Sequence, residues 1–197
     1  MIDYEKIYNS PTSTKKVDAS WERYMVPSGE DKTRERYEWS VSHLHGSVLD
    51  IGAGDGFGAY LMLQRPDIYS ITCLEVQKKA IEQMKKHLNG SGVEIIQGAI
   101  EYVSLGKGFD SVHCGHTLEH VEHFGLAMEG IMRHAMNRIV ISVPLNGGIN
   151  GMHLREFTSK DQVIELMKGY FHVIGFKEFR KDNRVSSLVV IGNKRTI

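Results

Sequence analysis

A chain of 197 residues with 41% hydrophobic and 24% charged residues suits one globular domain with a substantial core. Its 24 lysines and arginines balance 24 aspartates and glutamates, so the net charge is zero. That balance lacks the basic excess expected of a nucleic-acid binder, and the basic residues around Lys177–Arg184 alternate with acids as on a solvated edge.

Residues 1–28 are polar with scattered aromatics (Tyr4, Tyr8, Trp21, Tyr24) and read as an arm or cap. The stretch 29–44 predicts a helix, opened by acids at its positive end and punctuated by Pro27 and Gly46. A regular alternation follows. Residues 47–51 form a short apolar strand, then a glycine loop and a helix over 58–64. The β-branched run 69–75 is a second strand, and 76–88 is a helix with Val76, Ala80, Met84 and Leu88 at helical spacing. Strands over 93–97 and 109–114 come next, and Glu119 to His123 begins a helix with Leu118, Val121, Met128 and Met132 on one face. A fifth strand spans 138–143, a helix spans 159–170, and strands over 171–179 and 186–193 close the chain.

Strands alternating with helices make a mostly parallel sheet covered on both faces. The last two strands have no convincing helix between them and form an antiparallel hairpin at one edge. The expected fold is α/β: a Rossmann-like, doubly wound, seven-stranded sheet with its ligand at the carboxyl ends of the strands. A single domain over 1–197 is expected, with 1–45 as arm and cap and 46–197 as the core.

Cys73 and Cys114 each sit in an apolar run and build neither a disulfide framework nor a Cys-x-x-Cys zinc pattern. Residues 1–16 hold no apolar leader segment, and no uncharged run approaches membrane-spanning length. A cytoplasmic protein is expected.

Gly52, Gly54, Gly56 and Gly58 alternate after the first strand. Glycines there let the backbone turn tightly and let a ligand approach where a Cβ would clash. The dinucleotide spacing Gly-x-Gly-x-x-Gly fails, because its third glycine would fall at Phe57. Glu75, ending the second strand, supplies a carboxylate able to accept hydrogen bonds from both ribose hydroxyls.

The run Asp50-Ile51-Gly52-Ala53-Gly54-Asp55-Gly56 resembles the first motif of class I S-adenosylmethionine-dependent methyltransferases. The resemblance extends from about Trp21 to the C-terminus. Glu75, followed by Val76, matches the acid that holds the adenosyl ribose. Residues 95–103 resemble the segment bordering the adenine, 109–121 the strand-four motif with Cys114 and Gly115, and 152–158 a histidine-containing stretch after strand five. The resemblance thus implies S-adenosyl-L-methionine held by Asp50, Gly52, Ala53, Gly54, Gly56, Glu75, Val76, Ala99, Ile100, Cys114 and Gly115. There are two departures. Ala99 stands where many relatives carry an aspartate for the adenine amino group, leaving that role to the backbone around Ala99 and Ile100, or to Gln97 or Glu101. The glycine pair often found before strand five is also missing.

The resemblance implies in-line displacement of a sulfonium methyl by a nucleophile, which the protein must hold at near-attack distance. An oxygen or nitrogen acceptor that carries a proton must lose it, and a neutral histidine suits that task. His116, in the loop after strand four, is the first candidate base and His153 the second; either would equally orient the acceptor by a hydrogen bond. Tyr24, Arg36 and Tyr37 are candidates from the cap for contact with the methionine carboxylate or the substrate, with core packing as their alternative.

His116-x-x-Glu119-His120 also has the spacing of some zinc hydrolases. That motif needs both histidines on an established helix, whereas Gly115–His116 belongs to a loop. No metal is assigned; the resemblance extends to members acting on phenolic substrates with a divalent metal near this segment, which leaves Glu119 and His120 as a minor metal alternative to a solvated helix start. The acceptor is expected to be a small molecule. Glu156-Phe157-Thr158 and the 34–39 stretch resemble members acting on sugars, glycans or lipid-linked precursors. The glycine- and asparagine-rich 145–158 loop suggests a lid. A nicotinamide oxidoreductase and a non-catalytic binding module are the alternative readings.

Overall fold

The computed structural model describes residues 33–149, 153–181 and 184–195. The elements, in order, are α1 (Thr33–Val41), β1 (Gly46–Ile51), α2 (Phe57–Met62), β2 (Ile68–Glu75), α3 (Lys78–His87), β3 (Glu94–Gln97), β4 (Phe109–Gly115), α4 (Phe124–His134), β5 (Ala135–Pro144), α5 (Lys160–Lys168), β6 (His172–Lys181) and β7 (Arg184–Asn193). The seven strands lie in the order β3-β2-β1-β4-β5-β7-β6. The first five pair in parallel, and β7 inserts antiparallel between β5 and β6. The expected sheet and its antiparallel hairpin are therefore both present.

Alternation along the strands divides the core into two layers. Leu49, Ile51, Val112, Cys114, Ile139, Ile141 and Val143 face the helices α4 and α5, with Met128, Ile131, Val163 and Met167. Val48, Cys73, Val140 and Val189 face α1, α2 and α3, with Val41, Phe57, Met62 and Met84. A period of two in the strands matched to helices on both sides is what buries each layer. Helix α3 buries Ala80, Ile81 and Met84 and ends on Lys85, Lys86 and His87, cations suited to the negative end of its dipole. Helix α5 starts on Ser159, whose hydroxyl accepts from Gln162 N–H, while the Gln162 side chain accepts from Thr158 N–H.

Two boundaries differ from the sequence expectation. The described part of the first helix ends at Val41, with Leu44 buried in the turn that follows. The helix after β4 begins at Phe124, not within Glu119–His123. Residues 118–120 form a turn that buries Leu118 and is anchored by His120 N–H donating to Thr117 C=O at 2.9 Å. Burial of Leu118 and Val121 satisfies the same apolar pattern that suggested a helix. Residues 1–32, with Trp21 and Tyr24, and residues 150–152 lie outside the described residues. Among the described residues, no helix is long and apolar enough to cross a membrane.

Candidate active site

The strand order reverses between β1 and β4, so the loops leaving these two strands diverge and open a crevice at their carboxyl ends. The glycine loop forms one wall. Gly52, Gly54 and Gly56 all have positive φ, at 66°, 58° and 91°, a region costly for residues with a Cβ. Their surroundings differ. A Cβ on Gly52 would fall on the Thr117 side chain, whereas a Cβ on Gly54 would meet no heavy atom within 4 Å. Gly54 therefore lines open space, and the loop closes against the turn after β4 at Gly52.

Glu75 ends β2 beside this loop. Its Oε2 accepts from Gly54 N–H at 2.8 Å, and its Oε1 accepts from Val76 and Gln77 N–H at 2.8 and 2.9 Å. Burial raises the Glu75 pKa, opposed by those backbone donors. A carboxylate offers about four lone-pair sites, so three backbone donors leave it room for a further hydroxyl. Gln97, at the end of β3, donates from its side chain to Val76 C=O at 3.1 Å. Ala99 and Ile100 are buried, and the Ala99 carbonyl accepts from Tyr102 and Val103 N–H. Glu101 is also buried. The open space at Gly54 and the Glu75 carboxylate fit an adenosyl ribose.

Beneath the crevice, on the α1 side, the strands carry polar residues at core positions. Asp50 and His113 are direct cross-strand partners, with Asp50 Oδ1 2.7 Å from His113 Nδ1. Ser142 on β5 accepts from buried Arg36 Nη1 at 2.8 Å, which ties α1 to the sheet. The Arg36 guanidinium stacks over the Tyr37 ring, and Tyr37 packs edge-on against Phe57. Asp50 is thus engaged with His113 inside the protein, and Cys114 has its side chain in the opposite core layer.

The second wall is built from the turn after β4 and the loop after β5. His116, with φ of 50°, is one of two non-glycine residues at positive φ among those described, and its N–H donates to Ser142 C=O at 2.9 Å. Such backbone positions are costly and cluster at functional sites. His116 Nε2 is buried and has no hydrogen-bond partner among the described residues. Desolvation, then the positive charge of Arg36 and the neighbouring histidines, hold its pKa well below the usual histidine value. Glu119 is 1% exposed; desolvation pushes its carboxyl up to about 7. The Glu119 carbonyl accepts from Leu154 and Arg155 N–H, stitching the two loops together. That stitch sets the His153 ring 5.0 Å from the His120 ring.

The structure brings His116 and His153 to one side of the crevice, with the glycine loop and Glu75 on the other. Sequence reasoning missed the buried pair Asp50–His113 and the Arg36–Ser142 bond. Their signal was present as polar residues at alternating positions of otherwise apolar strands. The 145–158 loop is tied at both ends: Leu145 N–H donates to Ser186 C=O and Asn146 N–H to Phe157 C=O.

Residues 49–137 match the family model described as a methyltransferase domain. The mitochondrial ubiquinone biosynthesis O-methyltransferase of Schizosaccharomyces pombe is 40% identical over 81 residues, 38% of this chain and 28% of that protein. The tRNA1(Val) (adenine(37)-N6)-methyltransferase of Christiangramia forsetii is 31% identical over 83 residues, 42% of this chain and 35% of that protein. The chain thus spans about a third of the length of these curated relatives. The solved structure of N-methyltransferase NodS from Bradyrhizobium japonicum WM9, in complex with S-adenosyl-L-homocysteine, shares the fold. Its TM-score is 0.77 at 14% identity, covering 95% of this chain and 100% of that one.

Proposed function

We propose that this chain carries a class I S-adenosylmethionine-dependent methyltransferase domain, a reading supported by the methyltransferase-domain match over residues 49–137 and by the shared fold, and that it methylates an oxygen or nitrogen of a small-molecule acceptor, with a sugar, glycan or lipid-linked precursor as the substrate class. The observation that carries this reading is Glu75 bonded to Gly54 N–H beside the open space at Gly54. S-adenosylmethionine, when bound, supplies an electrophilic methyl group. Glu75 and the backbone of Gly52, Ala53, Gly54 and Gly56 would hold the ribose and amino-acid parts, with Val76, Ala99 and Ile100 along the adenine. Cys114 and Gly115 would border it through their backbone, and Asp50 would support the loop from below.

On the facing wall, His116 takes the acceptor's proton. Its imidazole is held neutral, and its Nε2 is left for a bound molecule. His153 orients the acceptor from the loop after β5. The exposed side chains of Ile149 and Leu154 give that loop an apolar rim suited to an acceptor with an apolar part. The zero net charge speaks for a small molecule over the nucleic-acid substrate named for the Christiangramia relative.

Calorimetry with S-adenosylmethionine and with NAD tests the cofactor assignment, and binding of NAD alone would sink it. Transfer of tritiated methyl to a panel of sugars, glycolipids, phenols and a tRNA pool tests the acceptor. Label entering only the tRNA would replace the small-molecule reading.

A further inference from the structure

The facing wall holds a cluster that proton transfer alone does not require. Glu119, His120 and His153 each offer a ligand atom, and these atoms lie within 4.8 Å of one another. Glu119 Oε1 is 3.8 Å from His120 Nε2 and 3.7 Å from His116 Nδ1. Both separations are too long for hydrogen bonds. They are only slightly longer than the roughly 3.0–3.4 Å between two atoms that each sit ~2.1 Å from one ion. Glu119 is 1% exposed, and its Oε2 is buried with no hydrogen-bond partner among the described residues. A buried carboxylate oxygen without a partner is costly, and a cation is one of the few occupants that offsets the cost.

We propose that Glu119, His120 and His153 bind one divalent transition-metal ion on the acceptor side of the crevice. Two imidazole nitrogens and one carboxylate oxygen favour a first-row ion such as Zn²⁺ or Mn²⁺ over an ion that demands oxygen ligands only. Three protein ligands leave coordination positions open, as in sites where the ion takes part in the reaction. The ligands are positioned from outside the set. Leu154 and Arg155 N–H groups donate to the Glu119 carbonyl, which holds the two loops in register. His116, beside Glu119, is not a member of the ligand set.

This assignment rests on the proposed function for its role. The ion would fix an oxygen-bearing acceptor through its open positions, so that His153 orients the acceptor through the metal. It adds a demand on the acceptor's chemistry: an oxygen able to ligate a metal, such as a hydroxyl beside a second hydroxyl or a carbonyl.

The test uses the full chain, stripped with a chelator and dialysed, and titrated calorimetrically with Zn²⁺ and with Mn²⁺. Affinity for S-adenosylmethionine is measured separately on the stripped protein. One equivalent of metal per chain is expected, with affinity falling at least about 100-fold in His120→Ala and in His153→Ala. The exposed His172→Ala serves as the control and keeps the affinity. Glu119→Gln adds a third variant; its buried position makes it the one most prone to misfold, so the two histidine variants are decisive once circular dichroism shows them folded. No stoichiometric binding, or binding unchanged in both histidine variants, overturns the site. S-adenosylmethionine binding without metal binding would leave the methyltransferase reading standing and remove the metal. Metal binding without S-adenosylmethionine binding would do the reverse.

Discussion

Asp50 and His113 face each other across β1 and β4 in direct register, Oδ1 to Nδ1 at 2.7 Å, with side chains 3% and 2% exposed. The pair lies directly beneath the glycine loop. Removing either partner leaves the other buried and unpaired. Asp50→Ala and His113→Ala should each cost about 3 kcal/mol of stability in urea unfolding. A double variant as stable as either single one would show that the pair, and not each residue separately, carries that cost.

The same carboxylate constrains α2. A Cβ on Gly58 would lie 3.0 Å from Asp50 Oδ2 and 3.4 Å from the Tyr37 ring. Asp50 is held by His113 and cannot swing away. Gly58→Ala should therefore destabilise the protein by about 1 kcal/mol or more despite the helical preference for alanine. An unchanged or raised melting temperature would show that the sheet yields there.

Gly130 on α4 packs against the segment after β3, where an added Cβ would fall on the Ile100 carbonyl oxygen. Gly130→Ala should cost about 2–3 kcal/mol and weaken S-adenosylmethionine binding by displacing Ala99 and Ile100. Stability lost with cofactor affinity intact would separate that segment from the cofactor site.

Glu75→Gln keeps the shape of the side chain and removes its charge. It should weaken S-adenosylmethionine binding about 10- to 100-fold by calorimetry, the worth of hydrogen bonds to a charged acceptor. His116→Ala should leave that affinity in place and slow methyl transfer to the identified acceptor about a hundred- to ten-thousand-fold. Full activity in the His116 variant would remove its proposed role.

Asp110 gives the sheet an acid-sensitive contact. It accepts from Ser47 N–H, Ser47 hydroxyl and Tyr69 hydroxyl, and its pKa is lowered from 3.8 to about 2, chiefly by the Ser47 N–H. A depressed folded-state pKa contributes stability above the unfolded value, and that contribution is lost as pH falls from about 4 towards 2. The exposure of the group keeps the effect small. Asp110→Asn should flatten the stability profile in that window while leaving it elsewhere parallel to the parent.

Much of the fold was legible in the chain order of its patterns. Short β-branched runs separated by amphipathic stretches specify a parallel sheet, and the helix-free final pair specifies an antiparallel edge, because these are local consequences of periods of two and of 3.6. The glycine loop and Glu75 were legible for the same reason: both occupy defined ends of consecutive strands. The helix after β4 was misplaced because burial of Leu118 and Val121 serves a turn as well as a helix.

The sequence by itself determined the order of strands and helices, the loop that turns on glycines, and the acid that faces it. Tertiary structure alone decided which distant side chains meet. Arg36 reaches Ser142, His113 reaches Asp50, and His153 reaches His120 only through sheet register and the docking of two loops at the Glu119 carbonyl. Such encounters depend on side-chain direction and loop path, which a linear pattern does not encode beyond the reach of one element.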